Sequence, residues 1–323
     1  MPTTQHLLLS RTDSIGDVVL TLPMAGVIKE AFPDVKVSFL GRAYTRAVVE
    51  RCAFVDAFYD WDALLGDLSD VDTIIHVFPR KEIGRWAQKV GIATRIGTSH
   101  RPYHWITCNR WVHLGRKNSN LHEAQLNLRL LKPLIDSPLR DLNQLPNYYG
   151  WHPATAPVSE HAALLSEAKF NLMLHPKSKG SAVEWPLDHY RQLVQLLPSD
   201  QFHVIVSGTT DEGLTIRREC PALLSLPNVT PVFGRFSLAE FIDFIGQADG
   251  LVAASTGPLH LAAASGIRTL GLYSSHRPLH AGRWGPVGHR AESVSAADGS
   301  AKFPTLAAIT PEHIRDRLLT WIA

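Results

Sequence analysis

The sequence contains few of the residues that build disulfide or zinc sites. Its three cysteines, Cys52, Cys108 and Cys220, are far apart, odd in number and outside any CxxC or Cys/His spacing. Neither a disulfide framework nor a zinc site is therefore expected. An apolar run of about 18 residues is also missing, and the opening MPTTQ leads directly into a strand-like segment. We therefore expect neither a signal peptide nor a spanning helix, and a cytoplasmic location.

Several common catalytic and nucleotide-binding motifs are missing as well. No GxGxxG follows the first strand-like segment, and GxxxxGK[ST], GxSxG and HExxH do not occur. The usual dinucleotide and P-loop fingerprints are therefore excluded. Lys plus Arg number 32 and Asp plus Glu 30, so the net charge does not indicate a nucleic-acid partner. A bound nucleotide would need some other arrangement of backbone N–H groups and cations.

The 323 residues are more than one hydrophobic core usually holds, so we expect two domains. Strand-like and helical patterns alternate in both halves, which indicates α/β architecture with parallel sheets covered on both faces. Pro and Gly near residues 146–157 mark a linker. We place the first domain at 1–150 and the second at 151–323. Long helices are predicted for Asp17 to Phe32, kinked at Pro23, for Leu121 to Leu134, and for Val158 to Ala168.

The stretch from Asp249 to Pro278 reads as strand, tight turn, helix, strand. The helix is predicted to begin near Pro258, because Pro tolerates a first helical position, and to stop at Gly266. In a parallel sheet such a turn lies at the carboxyl edge, where a helix N-terminus attracts anions. Ser255 and Thr256 would line that site. An ordinary capped helix remains the alternative.

A second segment, Thr98 to His122, departs from the alternating pattern. It contains no acidic residue but many cations, histidines and aromatics. The cations Arg101, Arg110, Arg116 and Lys117 suit an anion, while Tyr103, Trp105 and Trp111 suit stacking on a sugar or base. We predict an acceptor-facing surface here, with Arg101, His104, Trp105 and Arg110 in contact with the ligand. A solvated loop is the alternative.

Four motifs together resemble one enzyme family. They are RTDSIGDVVLTLP near the N-terminus, HPKSKGSAVEWP at 175–186, VSGTTDE at 206–212 and STGPLHLAAASG at 255–266. Their order and spacing resemble glycosyltransferase family 9, the lipopolysaccharide heptosyltransferases. The resemblance implies a GT-B fold of two Rossmann-like domains with a cleft between them. The acceptor would bind the first domain and the nucleotide-sugar the second, and a last helix at 311–322 would pack back across the domains.

The resemblance also implies roles for individual residues. Asp17 matches the family's base, although a plain aspartate at a helix start is the alternative. Ser255 stands where the family has Asp, and Val183 where it often has Lys. We therefore infer that Lys177 or Lys179 binds the phosphates in place of the missing lysine. The predicted donor-binding residues are Lys177, Ser178, Lys179, Ser207, Gly208, Phe233, Gly234, Ser255, Thr256, Gly257 and His260.

The expected activity is an inverting transfer that needs no metal and no cofactor. The donor is predicted to be a nucleotide-sugar, with ADP-heptose first, and the acceptor an anionic glycolipid or oligosaccharide of the lipopolysaccharide core or a related surface glycan. Peripheral contact at the inner face of the inner membrane is compatible with such an acceptor, and no nucleic-acid partner is expected. A nucleotide-sugar epimerase of the same fold and a non-catalytic nucleotide-sugar binding protein stay open as alternatives.

Overall fold

The computed structural model describes residues 4–63, 68–116, 119–154, 159–297 and 303–323. Lys117 and the parts of the predicted linker and helix at 155–158 lie outside these ranges. The chain divides into two compact units, Met1–His152 and Pro153–Ala323. Each unit contains a six-stranded, all-parallel sheet with helices in the connections. The predicted α/β class with parallel sheets is confirmed.

Unit 1 has the strand order β3-β2-β1-β4-β5-β6. Its strands are β1 His6–Ser10, β2 Lys36–Gly41, β3 Ala57–Asp60, β4 Thr73–His76, β5 Thr94–Thr98 and β6 Arg110–Val112. Its helices are α1 Ile15–Val19, α2 Pro23–Ala31, α3 Arg46–Val49, α4 Lys81–Lys89, α5 His104–Thr107 and α6 Glu123–Leu128. Leu7, Leu8 and Leu9 of β1 are all fully buried, as expected for a central parallel strand covered on both faces.

Two helix predictions for unit 1 were wrong in extent. The predicted kinked helix is two helices, because α1 ends at Val19 and Pro23 begins α2 at its first position. The helix predicted to reach Leu134 ends at Leu128 and continues only as a 3-10 turn to Leu131. The segment after Thr98 contains α5 and the edge strand β6, so part of it is regular structure.

Unit 2 has the strand order β12-β11-β10-β7-β8-β9. Its strands are β7 Phe170–His175, β8 Phe202–Val206, β9 Val229–Pro231, β10 Gly250–Ala254, β11 Arg268–Tyr273 and β12 Ala291–Ser295. Its helices are α7 Ser159–Ala162, α8 Leu187–Leu196, α9 Thr210–Glu219, α10 Pro221–Leu224, α11 Leu238–Gln247, α12 Gly257–Ala264, α13 Ala281–Trp284 and α14 Pro311–Leu319. The last helix, α14, packs against α8. Trp185 joins this layer by donating its indole N–H to the Ile309 carbonyl at 2.9 Å.

The helix predicted to run to Ala168 ends at Ala162 in the described part of the chain. The side chain of Asn171 explains the difference. Its Oδ1 accepts from the Ser166 amide at 2.7 Å, and its Nδ2 donates to the Ser166 carbonyl at 2.9 Å. Side-chain bonds of this kind replace helical bonds and favour a turn.

Each sheet has a point where the strand order reverses. In unit 1 this point lies between β1 and β4, and in unit 2 between β7 and β10. Ligands of open α/β sheets bind at the carboxyl ends of the strands that flank such a point. The loops after these four strands are therefore where a site is expected. Among the described residues, no helix combines the length and apolar character needed to cross a membrane.

Candidate active site

In unit 1, a carboxylate pair lies in the loop and helix that follow β1. Arg11 binds Asp13 with two hydrogen bonds, from Nε to Oδ1 at 2.7 Å and from Nη2 to Oδ2 at 3.0 Å. The same Nη2 also donates to Oδ1 of Asp17, and the Ser14 hydroxyl donates to its Oδ2. Both carboxylate oxygens of Asp17 are therefore held by donors. Asp17 lies on α1, at the reversal point of the sheet.

Helix α6 supplies a buried support for Arg11. Asn127 accepts from Arg11 Nη1 at 3.2 Å, and Glu123, only 1% exposed, lies 3.6 Å from the same nitrogen. Glu123 also forms an ion pair with Arg116. Asn127 in turn donates to Thr21, whose hydroxyl donates to the Asp17 carbonyl at 2.8 Å. A buried charge is stable only when it is paired, so this network fixes the guanidinium that holds Asp17.

Glu123 and Asn127 were not predicted as part of the site. They are one helical turn apart on α6, and both are buried among leucines. An acid and an amide at that spacing on an apolar helix face were the available signal. Arg116, predicted as an anion ligand, is instead engaged with Glu123, Asn127 and the Val77 carbonyl.

The predicted acceptor residues of unit 1 fall into two groups. Arg101, Trp105 and Arg110 are exposed, whereas His104 is fully buried. His104 Nδ1 lies 3.0 Å from the Thr98 carbonyl, and its ring faces His76 with centroids 5.4 Å apart. Burial lowers the pKa of His104, so the ring is neutral at neutral pH. His104 supports the segment from within, while the other three lie on its surface.

In unit 2, the carboxyl end of β10 meets the N-terminus of α12 at Ser255, Thr256 and Gly257. Thr256 occupies the N-cap and is only 5% exposed. Its hydroxyl has no hydrogen-bond partner among the described residues and makes no cap bond. A buried hydroxyl without a partner is costly, so a ligand oxygen would be a favourable partner here. The unpaired N–H groups and dipole of α12 favour an anion at the same place.

Two further predicted donor residues flank this helix start. His260 lies one turn inside α12 and is buried. Ser255 is half-buried, and its hydroxyl interacts with the phenol of Tyr273 at the end of β11. Burial raises the pKa of that Tyr273 phenol. Arg283, from the segment beyond β11, is also buried and lies 5.1 Å from the Trp284 ring centroid.

The loop after β7 carries two lysines with different surroundings. Lys177 Nζ lies 2.6 Å from Glu184 Oε2, and Glu184 Oε1 accepts from the Ser178 amide at 2.7 Å. Burial would raise the pKa of Glu184, but these hydrogen bonds outweigh it and hold the pKa below its ordinary value. Lys179 is exposed and has a φ of 51°, a conformation that few residues other than Gly adopt. Lys179 has no ion pair within the described part of the chain.

The loops after β8 and β9 are joined to each other. The Gly234 amide donates to the Gly208 carbonyl at 3.0 Å. Gly234 has a φ of 62°, a backbone conformation that glycine adopts without steric strain. A side chain at Gly208 would meet Phe233 at 3.3 Å, so the loops touch closely. Ser207 Oγ lies 3.0 Å from Nδ1 of His175. Burial lowers the pKa of His175 to about 4, against the attraction of Glu212 and Glu184.

A comparison with protein families decides the assignment. The family model described as glycosyltransferase family 9 (heptosyltransferase) matches residues 87–308, which is more than half of the chain. The chain belongs to glycosyltransferase family 9. The predicted resemblance is therefore confirmed, and the protein is a glycosyltransferase.

Individual relatives support the family 9 assignment along nearly the whole chain. A Haemophilus influenzae protein, provisionally named a glycosyltransferase, is 25% identical over 303 residues, covering 88% of this chain and 86% of its own. The solved structure of a family 9 glycosyl transferase from Veillonella parvula has a TM-score of 0.79 at 16% identity, covering 98% of this chain and 97% of its own. The E. coli heptosyltransferase WaaC with ADP has a TM-score of 0.73 at 17% identity, covering 98% of this chain and all of its own. These likenesses establish the GT-B fold.

As a family 9 member, the protein departs from the expected pattern at Val183. Where a lysine is expected, Val183 packs against the apolar core of unit 2. A cation at that position would have to leave this contact. Lys177, which could replace it, is already paired with Glu184. Lys179 is therefore the cation of this loop with its ammonium group still open to a ligand.

Proposed function

We propose that the protein transfers a sugar from an ADP-linked nucleotide-sugar, with heptose as the first choice, to an anionic glycan acceptor. The acceptor class we propose is the lipopolysaccharide core or a related surface glycan. Unit 1 would bind the acceptor and unit 2 the donor. The observation that carries the proposal is the buried hydroxyl of Thr256 at the N-terminus of α12, which has no hydrogen-bond partner among the described residues. That arrangement suits a diphosphate oxygen.

The chemistry assigned to unit 1 is general base catalysis. Asp17 would take the proton of the acceptor hydroxyl as its oxygen forms a bond to C1 of the sugar. The bond from C1 to the phosphate oxygen breaks on the opposite side, ADP leaves with that electron pair, and the configuration at C1 inverts. Arg11 and Ser14 donate to the two oxygens of Asp17, so they orient the carboxylate for this step.

The chemistry assigned to unit 2 is stabilisation of the leaving diphosphate. The N–H groups at the start of α12, the Thr256 hydroxyl and the Lys179 ammonium would share its negative charge. Fixed dipoles and cations can perform the role that a metal ion has in other transferases. The described residues contain no group of three His, Cys, Asp or Glu side chains arranged to hold a metal ion. We therefore propose a metal-independent reaction.

The donor assignment predicts tight, metal-free binding of ADP that depends on Thr256. Thr256→Val keeps the shape of the side chain but removes its hydroxyl, so ADP affinity in EDTA should fall about tenfold, the loss typical of one hydrogen bond to a charged group. Thr215→Val is the matched control, because the Thr215 hydroxyl donates to the Asp211 carbonyl of its own helix, away from the start of α12. Calorimetric titration with ADP, UDP and GDP measures both effects. Equal affinity of Thr256→Val and wild type, or preference for UDP or GDP, would contradict the proposal.

The same preparation separates the alternatives. A transferase consumes ADP-heptose faster when a lipopolysaccharide-core acceptor is added. An epimerase converts the nucleotide-sugar without any acceptor, which proton NMR of the sugar detects. A binding protein leaves the nucleotide-sugar unchanged in both reactions.

A further inference from the structure

Three large apolar side chains lie exposed together on unit 1. They are Trp105 and Ile106 of α5, which are 63% and 75% exposed, and Trp111 of the edge strand β6, which is 51% exposed. We call these three residues the tryptophan face. Exposed apolar side chains that cluster mark an interaction surface more often than single ones do.

The two indole rings are anchored so that only their apolar parts are free. Trp105 Nε1 donates to the Ser99 carbonyl at 2.8 Å, and Trp111 Nε1 donates to the His104 carbonyl at 2.9 Å. Both acceptors lie between Ser99 and His104, so the two indole nitrogens are bound to one short stretch of backbone. The polar atom of each ring is satisfied inside the protein, so the rings present hydrocarbon to their surroundings.

Exposed basic side chains accompany the tryptophan face along the chain and on the neighbouring helix. Arg101 and Arg110 are exposed and lie within a few residues of it in the sequence. Helix α4 packs against α5, and its Gln88 donates to the Ile106 carbonyl at 3.1 Å. This helix adds the exposed side chains of Lys81, Arg85 and Lys89. In the stretches 81–89 and 98–116, both fully described, Glu82 is the single acidic residue.

We propose that the tryptophan face, together with the basic side chains of Arg101, Arg110 and helix α4, docks the protein on an anionic phospholipid bilayer. Tryptophan and isoleucine enter the interfacial layer, and arginine and lysine stay at the level of the lipid phosphates. Basic residues close to an anionic membrane attract it independently of any specific headgroup. The apolar side chains fit the interfacial layer of the bilayer, and the basic side chains fit its anionic phosphates. The proposal does not rest on the transferase chemistry, because lipid binding needs neither donor nor acceptor.

The test is co-sedimentation of the full chain with vesicles of phosphatidylcholine alone or mixed with phosphatidylglycerol. We expect binding to the mixed vesicles at low salt, weaker binding at high salt, and little binding to phosphatidylcholine alone. Ile106→Asp places a carboxylate in the apolar centre and should abolish binding. Leu214→Asp on α9 is the matched control, because Leu214 is 61% exposed in unit 2, and it should bind like wild type. Thermal unfolding of both variants verifies that they fold.

Variants that remove basic charges complete the experiment. Arg101→Gln with Arg110→Gln should lower vesicle affinity about 25-fold, since each basic residue near an anionic surface contributes about fivefold. Arg218→Gln with Arg290→Gln removes the same charge from exposed positions of unit 2 and should change affinity little. Absence of wild-type binding, or equal loss in both charge variants, would overturn the proposal. A concentration-dependent dimer in sedimentation velocity that Ile106→Asp dissolves would assign the tryptophan face to a second copy of the chain instead.

Discussion

Arg11 and Asp17 are joined by a hydrogen bond from Nη2 to Oδ1, and the same nitrogen also reaches Asp13. Two carboxylates therefore share one guanidinium. Burial raises the pKa of Asp13, the Arg11 cation opposes that rise, and the charge of Asp17 adds to it. The shared cation keeps the two carboxylates in a fixed relation to each other. It also leaves the orientation of Asp17 dependent on a residue that is almost completely buried.

The two lysines after β7 should respond differently to removal. Lys179→Ala should weaken ADP binding about tenfold, because a charge-assisted bond to phosphate is lost, and leave thermal stability unchanged. Lys177→Ala should instead lower the free energy of unfolding by about 1 kcal/mol, since Glu184 loses its partner. Calorimetric titration and thermal melts measure the two quantities. The opposite pattern would assign the phosphate role to Lys177.

The sequence predicted the strands, turns and helices that carry clear local signals. The turn at Ser255 to Pro258 lies where expected, with α12 beginning at Gly257 and Gly266 in the left-handed region at its end. Local signals suffice there, because an apolar run, a proline and a glycine each determine the backbone conformation at their own position. The strands β3, β5, β6, β9 and β12 were not predicted; β6 and β9 have only three residues each, and β5 and β12 contain too few apolar residues to show a strand pattern.

The support of the candidate base could not be predicted in the same way. Arg11 lies in a recognisable motif, but its partners Glu123 and Asn127 lie far along the chain on α6. Their contact with Arg11 depends on how α6 packs against α2, and the spacing of residues along α6 does not predict that packing. The burial of His104 was missed for a related reason. A four-residue helix has too few positions to distinguish its inner face from its outer face.

His76 at the end of β4 should make the protein sensitive to acid. The ring is buried, and neither nitrogen has a hydrogen-bond partner among the described residues. Burial, with smaller effects of His104 and Arg95, lowers the pKa of His76 to about 3. The unfolded chain therefore binds a proton that the folded chain does not between pH 6.5 and 3. Stability from this residue is complete at neutral pH and falls as the pH drops through that window.

His76→Leu should remove this sensitivity. We expect the loss of unfolding free energy between pH 7 and pH 5 to shrink by about 2 kcal/mol, with stability at pH 7 unchanged or higher, because no hydrogen bond is lost. Urea denaturation at both pH values measures the difference. A variant that keeps the wild-type pH dependence would contradict a neutral, buried His76.

The exposed arginines of unit 1 should recognise the acceptor as well as the membrane. With a deacylated, water-soluble core oligosaccharide, membrane docking cannot contribute. Under those conditions Arg101→Ala with Arg110→Ala should still raise the acceptor KM several-fold and flatten its dependence on salt, with the donor KM unchanged. Unaltered acceptor kinetics would leave these two arginines with no role in binding the glycan.

The transfer rate of Asp17→Asn with ADP-heptose and a lipopolysaccharide-core acceptor tests the role of Asp17 as the base. The amide keeps the size of the side chain but cannot take the acceptor proton, so kcat should fall by about 100-fold to 10,000-fold. ADP affinity should stay within about twofold of wild type, because Thr256 and Lys179 are untouched. Asp34→Asn, an exposed site in the same unit, should transfer at the wild-type rate. Wild-type turnover by Asp17→Asn would contradict the assignment of Asp17 as the base.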